Sequence, residues 1–202
     1  MTISTLFSAI IQLILFSLVP FICWLLWGRK KEPFLKWLGL KKPIVANKLR
    51  FYCFFIVTLI LFLVLGLITI LYFTNGTELA SSEFYGVGYS GIIAVLIYAF
   101  IQTGLSEEIV FRGFIVKRIS DKFGFAVGNT VQAVLFGCLH GLMFFSSAGI
   151  LNAIVITLLT GSIGWLMGFM NEKLAGGSIV PSWVMHGLSN LFSAFLMLFS
   201  LL

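Results

Sequence analysis

The sequence predicts an all-α fold, a polytopic bundle of transmembrane helices. Three observations carry that prediction: apolar side chains dominate, charge is scarce, and the apolar residues fall into about six runs long enough to cross a bilayer. Hydrophobic residues make up 60% of the 202-residue chain and charged residues 10%, and mean hydropathy is +1.10, whereas soluble domains carry about 25% charge. Too little polar surface remains to coat a water-soluble globule. The chain therefore reads as one integral membrane domain over 1–202, with no soluble domain appended and no internal repeat. The formal charge of +6 does not indicate nucleic acid, because the basic residues sit beside hydrophobic spans, where the lipid bilayer supplies the nearer anionic partner.

The first span, 5–27, lacks a basic leader and ends in Trp27-Gly28-Arg29-Lys30-Lys31 without a small-residue cleavage site, so it is expected to persist as a helix. The second covers 51–73. The third, 88–116, and the sixth, 178–202, exceed one crossing, and Gly104 and Gly187 mark places for a break, a tilt or a re-entrant segment, which would raise the count above six. Between them lie 124–145 and 148–170. All are read as helices, since hydrocarbon obliges each segment to satisfy its own amides and none shows the alternation of a barrel strand. Cys23, Cys53 and Cys138 fall in apolar runs without CxxC spacing and read as small buried hydrophobes.

Orientation follows from the basic residues. Arg29, Lys30, Lys31, Lys36, Lys41, Lys42, Lys48 and Arg50 crowd the first connection, whereas the second, with Glu78 and Glu83, has none. The loop 28–50 is thus expected in the cytoplasm, with Lys117, Arg118, Lys122 and Lys173 returning to the same side. Its apolar residues suit either a basic stretch lying along the headgroups or a solvated loop.

Once the connections are set aside, Glu107, Glu108, Arg112, His140 and His186 remain inside predicted spans. A charge at the bilayer centre costs about 2.5–3.5 kcal/mol even on lenient scales, so these groups are expected to face one another. Glu108 and Arg112 are one turn apart and can neutralise each other, which leaves Glu107 in another sector as the better candidate for a general base. Phe136 lies one turn below His140, and Asn190 one turn beyond His186. Singly, each pair suits a structural role; together, a carboxylate, two imidazoles and an amide suit activation of water and stabilisation of an oxyanion. Spacing leaves both readings open. Depth presents a conflict: counted from Lys117, Glu107 sits in the near half of the membrane, whereas His140 counted from Phe123 falls past the centre.

The ordered set EExxxR (Glu107, Glu108, Arg112), FxxxH (Phe136, His140) and HxxxN (His186, Asn190), with the lead Gly177-Ser178-Ile179-Val180-Pro181-Ser182-Trp183-Val184-Met185-His186, resembles the motifs of the CPBP family. These are the CAAX protease and bacteriocin-processing proteins, also called Abi. The likeness covers about 90–195 as a catalytic core, after two helices, 5–27 and 51–73, that carry no motif. It implies an endopeptidase in a plasma membrane, bacterial by its small size, that cleaves a membrane-associated protein or peptide from an active site opening toward the cytoplasmic half. In that family pattern Glu107 activates water, His140 contributes to the same site, His186 and Asn190 stabilise the oxyanion, and Glu108, Arg112 and Phe136 support them. Two histidines and a glutamate also suit a metalloendopeptidase-like zinc set. The absence of HExxH and the presence of Asn190, a poor zinc ligand, favour no cofactor, with zinc as the alternative. Two other classes fit the composition: a noncatalytic bacteriocin-immunity or scaffold protein, and an ion or solute transporter, for which no inverted repeat is present.

Overall fold

A computed structural model describes residues 1–74 and 79–201. Glu78, counted above in the second connection, and Leu202, the last residue of the sixth expected span, lie outside the described residues. The chain is 83% helical without strands among the described residues, in seven helices. Five are long and apolar enough to cross a membrane: α1 (Thr2–Gly28), α3 (Lys48–Tyr72), α4 (Gly88–Phe123), α5 (Phe125–Ala148) and α6 (Ile150–Leu174). A short α2 spans Phe34–Leu38, and α7 spans Val180–Leu198. Ser182, His186, Ser189, Asn190 and Ser193 lower the hydropathy of α7, the sixth expected span, below that of the others. The protein is an integral membrane protein.

Neither expected break occurs. Gly104 lies within the continuous 36-residue α4, and a Cβ on it would meet the Ala99 carbonyl at 2.5 Å and the Gly187 backbone nitrogen of α7 at 3.6 Å. The two glycines mark a close helix crossing, where missing side chains let backbones approach. A Cβ on Gly187 would collide with the Phe100 ring. Helix α4 is not uniform, however, because wide π-type turns run through Tyr98–Leu105 and Ile109–Ile115, on either side of the glutamates. Such turns reorient side chains relative to a regular helix and are frequent at functional sites.

Two single-residue turns set the hairpins of the core. Gly124, at φ +83°, reverses the chain between α4 and α5, and Gly149, at φ +81°, does so between α5 and α6, a conformation that costs other residues a steric penalty. The first turn resolves the conflict of depth. Because α4 continues to Phe123 and a single residue makes the turn, Glu107 and His140 both lie roughly 25 Å from Gly124 and meet at one level. Helices α5 and α6 pack through small residues: a Cβ on Gly137 would strike the Thr157 carbonyl, and one on Gly161 would lie 3.1 Å from the Ala133 carbonyl.

The first connection is neither a headgroup-lying stretch nor a solvated loop throughout. Trp37 and Leu38 of α2 are buried at 4% and 0% exposure, and the strand-like segment after them docks on the start of α7 through Ile179 N–H to the Gly39 carbonyl at 2.9 Å and Ile44 N–H to the Ala175 carbonyl at 3.1 Å. Lys117 fastens the same corner by donating to Glu172 Oε1 at 2.6 Å and the Gly177 carbonyl at 2.8 Å. Helix α7 therefore begins level with Lys117, inside the basic end rather than beyond it. The cysteine expectation needs correction, since Cys53 and Cys138 are exposed on the outer surface of the bundle. An apolar thiol suits lipid as well as it suits a core.

Gly137→Val should lower the thermal stability of the detergent-solubilised protein by an overpacking cost of about 1–3 kcal/mol. Gly66→Ala, with nothing within 4 Å of the added carbon, should leave the melting temperature unchanged or slightly raised. Both are read from thermal unfolding curves.

Candidate active site

Glu108 and Arg112 form the ion pair that their spacing predicts, at 2.9 Å with both side chains fully buried. Arg112 lies 4.2 Å over the Phe136 ring, whose electron-rich face offsets part of the lost hydration. The pair is part of a larger assembly. Glu108 Oε2 accepts from the Ser182 hydroxyl, and Oε1 faces His186 Nδ1 at 3.1 Å. Ser182 is itself fixed, since Asn171 Nδ2 donates to its hydroxyl at 2.6 Å and its backbone N–H donates to Asn171 Oδ1 at 3.3 Å. Neither Ser182 nor Asn171 is assigned a role by the sequence. Ser182 stands in the lead to His186, a single turn before it; Asn171, beside Glu172 and Lys173, reads as part of a connection.

His186 sits between the two glutamates, with Nδ1 toward Glu108 and Nε2 3.7 Å from Glu107 Oε2. Adjacent positions of α4 thus straddle one imidazole instead of serving separate partners. Facing Glu108 as a donor, Nδ1 keeps its proton and leaves Nε2 for the cavity. His140 is held in the same sense: Nδ1 lies 2.8 Å from the Phe136 carbonyl, an acceptor only, so Nδ1 carries the hydrogen and Nε2 is open. The Phe136 ring packs 4.4 Å from the His140 ring and meets His186 edge-on at 5.9 Å. Asn190 Nδ2 donates to Thr103 Oγ1 at 2.7 Å, and Thr103 donates to the Tyr98 carbonyl at 2.9 Å across the wide turn. One of the two amide hydrogens remains for another acceptor.

Glu107, His140, His186 and Asn190 line one cavity of about 230 Å³. Five helices, α3 to α7, contribute to it. Glu107 differs from Glu108 in what holds it, because its buried Oε2 has no hydrogen-bond partner. Toward the basic end the space beneath the site is filled by Phe51, Ile163, Met167, Met170, Ala175 and Met185. The cavity runs the other way, past Thr69 and Ser193 to Thr74 and Ser81. This corrects the expected opening toward the half that bears the basic connection, and the physical reason is that apolar side chains, mostly from α3, α6 and α7, close that side.

Zinc requires about three protein ligands converging within roughly 2.0–2.2 Å of one point. Among the described residues, no three His, Cys, Asp or Glu side chains are grouped to hold a metal ion. Glu107, His140 and His186 line the same cavity, with Glu107 Oε2 and His186 Nε2 3.7 Å apart.

A family model described as Type II CAAX prenyl endopeptidase Rce1-like matches residues 89–192, just over half of the chain. The matched region begins at the start of α4 and ends within α7, and so contains the whole constellation. No curated protein and no solved structure matches the chain significantly.

The different anchoring of the two glutamates is measurable. Arg112→Leu leaves Glu108 buried and unpaired and should cost about 3–5 kcal/mol of stability. Ser182→Ala should cost about 1–3 kcal/mol through the lost bonds to Glu108 and Asn171, whereas Glu107→Gln should stay within about 0.5 kcal/mol of wild type. Denaturation of the three purified variants would order them.

Proposed function

The chain belongs to the Rce1-like family of type II CAAX prenyl endopeptidases, and from that premise we propose that it hydrolyses a peptide bond of a membrane-associated protein or peptide in the cavity bounded by Glu107, His140, His186 and Asn190. The observation that carries this reading is the contrast between neighbouring carboxylates. Glu108 is saturated by Arg112, Ser182 and His186, while Glu107 lines the cavity with an Oε2 that has no hydrogen-bond partner and lies 3.7 Å from an imidazole nitrogen. A general base needs an accessible carboxylate within reach of water, held by a scaffold that does not consume it.

In the proposed reaction Glu107 takes a proton from water as the water oxygen bonds to the scissile carbonyl carbon. The remaining amide hydrogen of Asn190 faces the developing oxyanion, and His186 shares in its stabilisation with Nδ1 anchored on Glu108. His140, fixed by its carbonyl partner, presents Nε2 to the same space and holds the water or the substrate. On collapse, the proton held by Glu107 passes to the departing nitrogen as the carbon–nitrogen bond breaks. Water has then supplied its hydroxyl to one product and a proton to the other. Glu108, Arg112, Phe136, Ser182, Asn171 and Thr103 act through these groups as positioning residues.

Asn190, a poor zinc ligand and a good oxyanion donor, favours this metal-free route. The density of Lys and Arg at one end of the bundle supports placing that end in the cytoplasm of a bacterial cell, with the chain in the plasma membrane.

Three outcomes test the mechanism. Comparing protein termini in membranes from cells carrying wild type or Glu107→Gln at equal abundance should reveal membrane-proximal termini that need Glu107; identical sets would sink the peptidase reading. With a substrate so identified, Asn190→Ala should lower kcat about 10²–10³-fold, the size expected for loss of one oxyanion donor. Cleavage should also survive exhaustive chelation of zinc.

A further inference from the structure

A second cleft, of about 280 Å³, lies between α1 and α4 at the basic end of the bundle. Cys23, Trp27 and Lys31 line it from α1 and the residues just after it, and Phe114, Arg118 and Asp121 line it from α4. Each series repeats at about one turn and so forms one face of its helix. Trp37 of α2 completes the lining. Both helices run toward the basic end, so the two series change in the same direction: apolar at Cys23 and Phe114, aromatic at Trp27, charged at Lys31, Arg118 and Asp121. That is the order met on passing from hydrocarbon through the interface to the headgroups. The cleft shares no residue with the cavity that holds Glu107, and Arg118 is roughly 16 Å from Glu107 along α4.

The cations of this cleft are not committed elsewhere. Lys117 is held by Glu172 and the Gly177 carbonyl, but Arg118, the next residue, lays its guanidinium 4.0 Å over the Trp37 ring. Its polar contacts are long, 3.5 Å from Nη2 to the Trp37 carbonyl and 3.6 Å from Nη1 to Asp121 Oδ2. Stacking thus fixes the planar fork and leaves donors for a stronger acceptor. Lys31 is exposed and makes no ion pair among the described residues. Asp121 is the one carboxylate among the lining residues, and its side chain is 68% exposed, where water screens it. Two cations against one screened carboxylate leave the cleft positive.

We propose that this cleft binds an anionic phospholipid of the leaflet on the basic side, with Lys31 and Arg118 on its phosphate, Asp121 toward headgroup hydroxyls, and an acyl chain passing Trp27 to reach Cys23 and Phe114. Basic pockets between transmembrane helices suit such headgroups, because the phosphate is partly dehydrated at this depth and its bond to a guanidinium is charge-assisted. A free phosphate would meet the same cations but gain nothing from the apolar end. The apolar surface continues beyond the cleft, since Ile22 and Leu26 of α1 are exposed beside Cys23. A lipid seated there ties α1 to α4, the helix that carries both glutamates. Such binding does not require the peptidase reading.

The test is a lipid titration of the purified, delipidated full chain in non-ionic detergent, read by native mass spectrometry as the fraction of protein carrying one bound lipid. Dioleoylphosphatidylglycerol should bind at least about tenfold more tightly than dioleoylphosphatidylcholine, whose headgroup has no net charge. Lys31→Gln and Arg118→Gln should each weaken that binding about fivefold, the share of one interfacial cation. Lys48→Gln, which removes an exposed charge at the start of α3 outside the cleft, should leave it unchanged. Lys31 is exposed and unpaired, so its variant should fold even where Arg118→Gln does not; unaltered affinity in Lys31→Gln would overturn the proposal. So would an equal loss in Lys48→Gln, which would mark diffuse attraction to the whole basic end. Displacement of the bound lipid by inorganic phosphate or glycerol 3-phosphate at matched concentration would instead mark a site for a free phosphate and would overturn it as well.

Discussion

The buried charge of Glu108 is the constraint around which the catalytic half of the bundle is arranged. A carboxylate without solvent must be answered by partners from its surroundings, and here they come from three directions: Arg112 on its own helix, and Ser182 and His186 on α7. Meeting that demand joins α4 to α7, and Asn171 extends the connection to the end of α6. Arg112 in turn needs the Phe136 face of α5. A buried pair of this kind adds little net stability over apolar packing, yet removing one member is costly. Its effect is to fix which helix faces which, and so to place His186 beside Glu107.

Close packing supplies the second condition. The α4–α7 crossing at Gly104 and Gly187, and the α5–α6 contact at Gly137 and Gly161, bring backbones near enough for short polar side chains to span between helices. Hydrophobic burial cannot drive this association in lipid, where the surroundings are as apolar as the helices, so shape and hydrogen bonding carry it. The wide turns in α4 belong to the same arrangement. Within them the Thr103 hydroxyl donates to the Tyr98 carbonyl and accepts from the Asn190 amide, which it holds in place.

Asymmetry along the membrane normal follows from the connections. Residues 39–45, tied to α7 and to the Lys117–Glu172 corner, close the basic end over an apolar plug. The cavity lined by Glu107 and the histidines runs toward the opposite end, which has no basic side chain. Position and charge of the cavity are thus set by different segments: the first connection carries most of the cations, while side chains mostly of α3, α6 and α7 fill that side of the bundle.

The sequence by itself determined the helical, membrane-embedded architecture, because bilayer thickness and the need to satisfy every backbone amide leave few alternatives for runs such as Lys48–Tyr72 or Phe125–Ala148. It also isolated Glu107, Glu108, Arg112, His140 and His186, since charge is conspicuous where its burial is costly. Glu108 with Arg112 and Phe136 with His140 were legible for a further reason, as both are pairs within one helix at a fixed spacing. Only the tertiary structure decided the rest. That both glutamates meet one histidine, that Ser182, Asn171 and Thr103 complete the network, and that Glu107 and His140 share a depth depend on contacts between helices and on a one-residue turn at Gly124. Local spacing carries no record of those contacts. The direction of the cavity was hidden for the same reason: hydropathy shows that residues 28–50 are basic, but not that part of that loop folds inward onto α4 and the start of α7, nor that Met167, Met170 and Met185 close the space beneath the site.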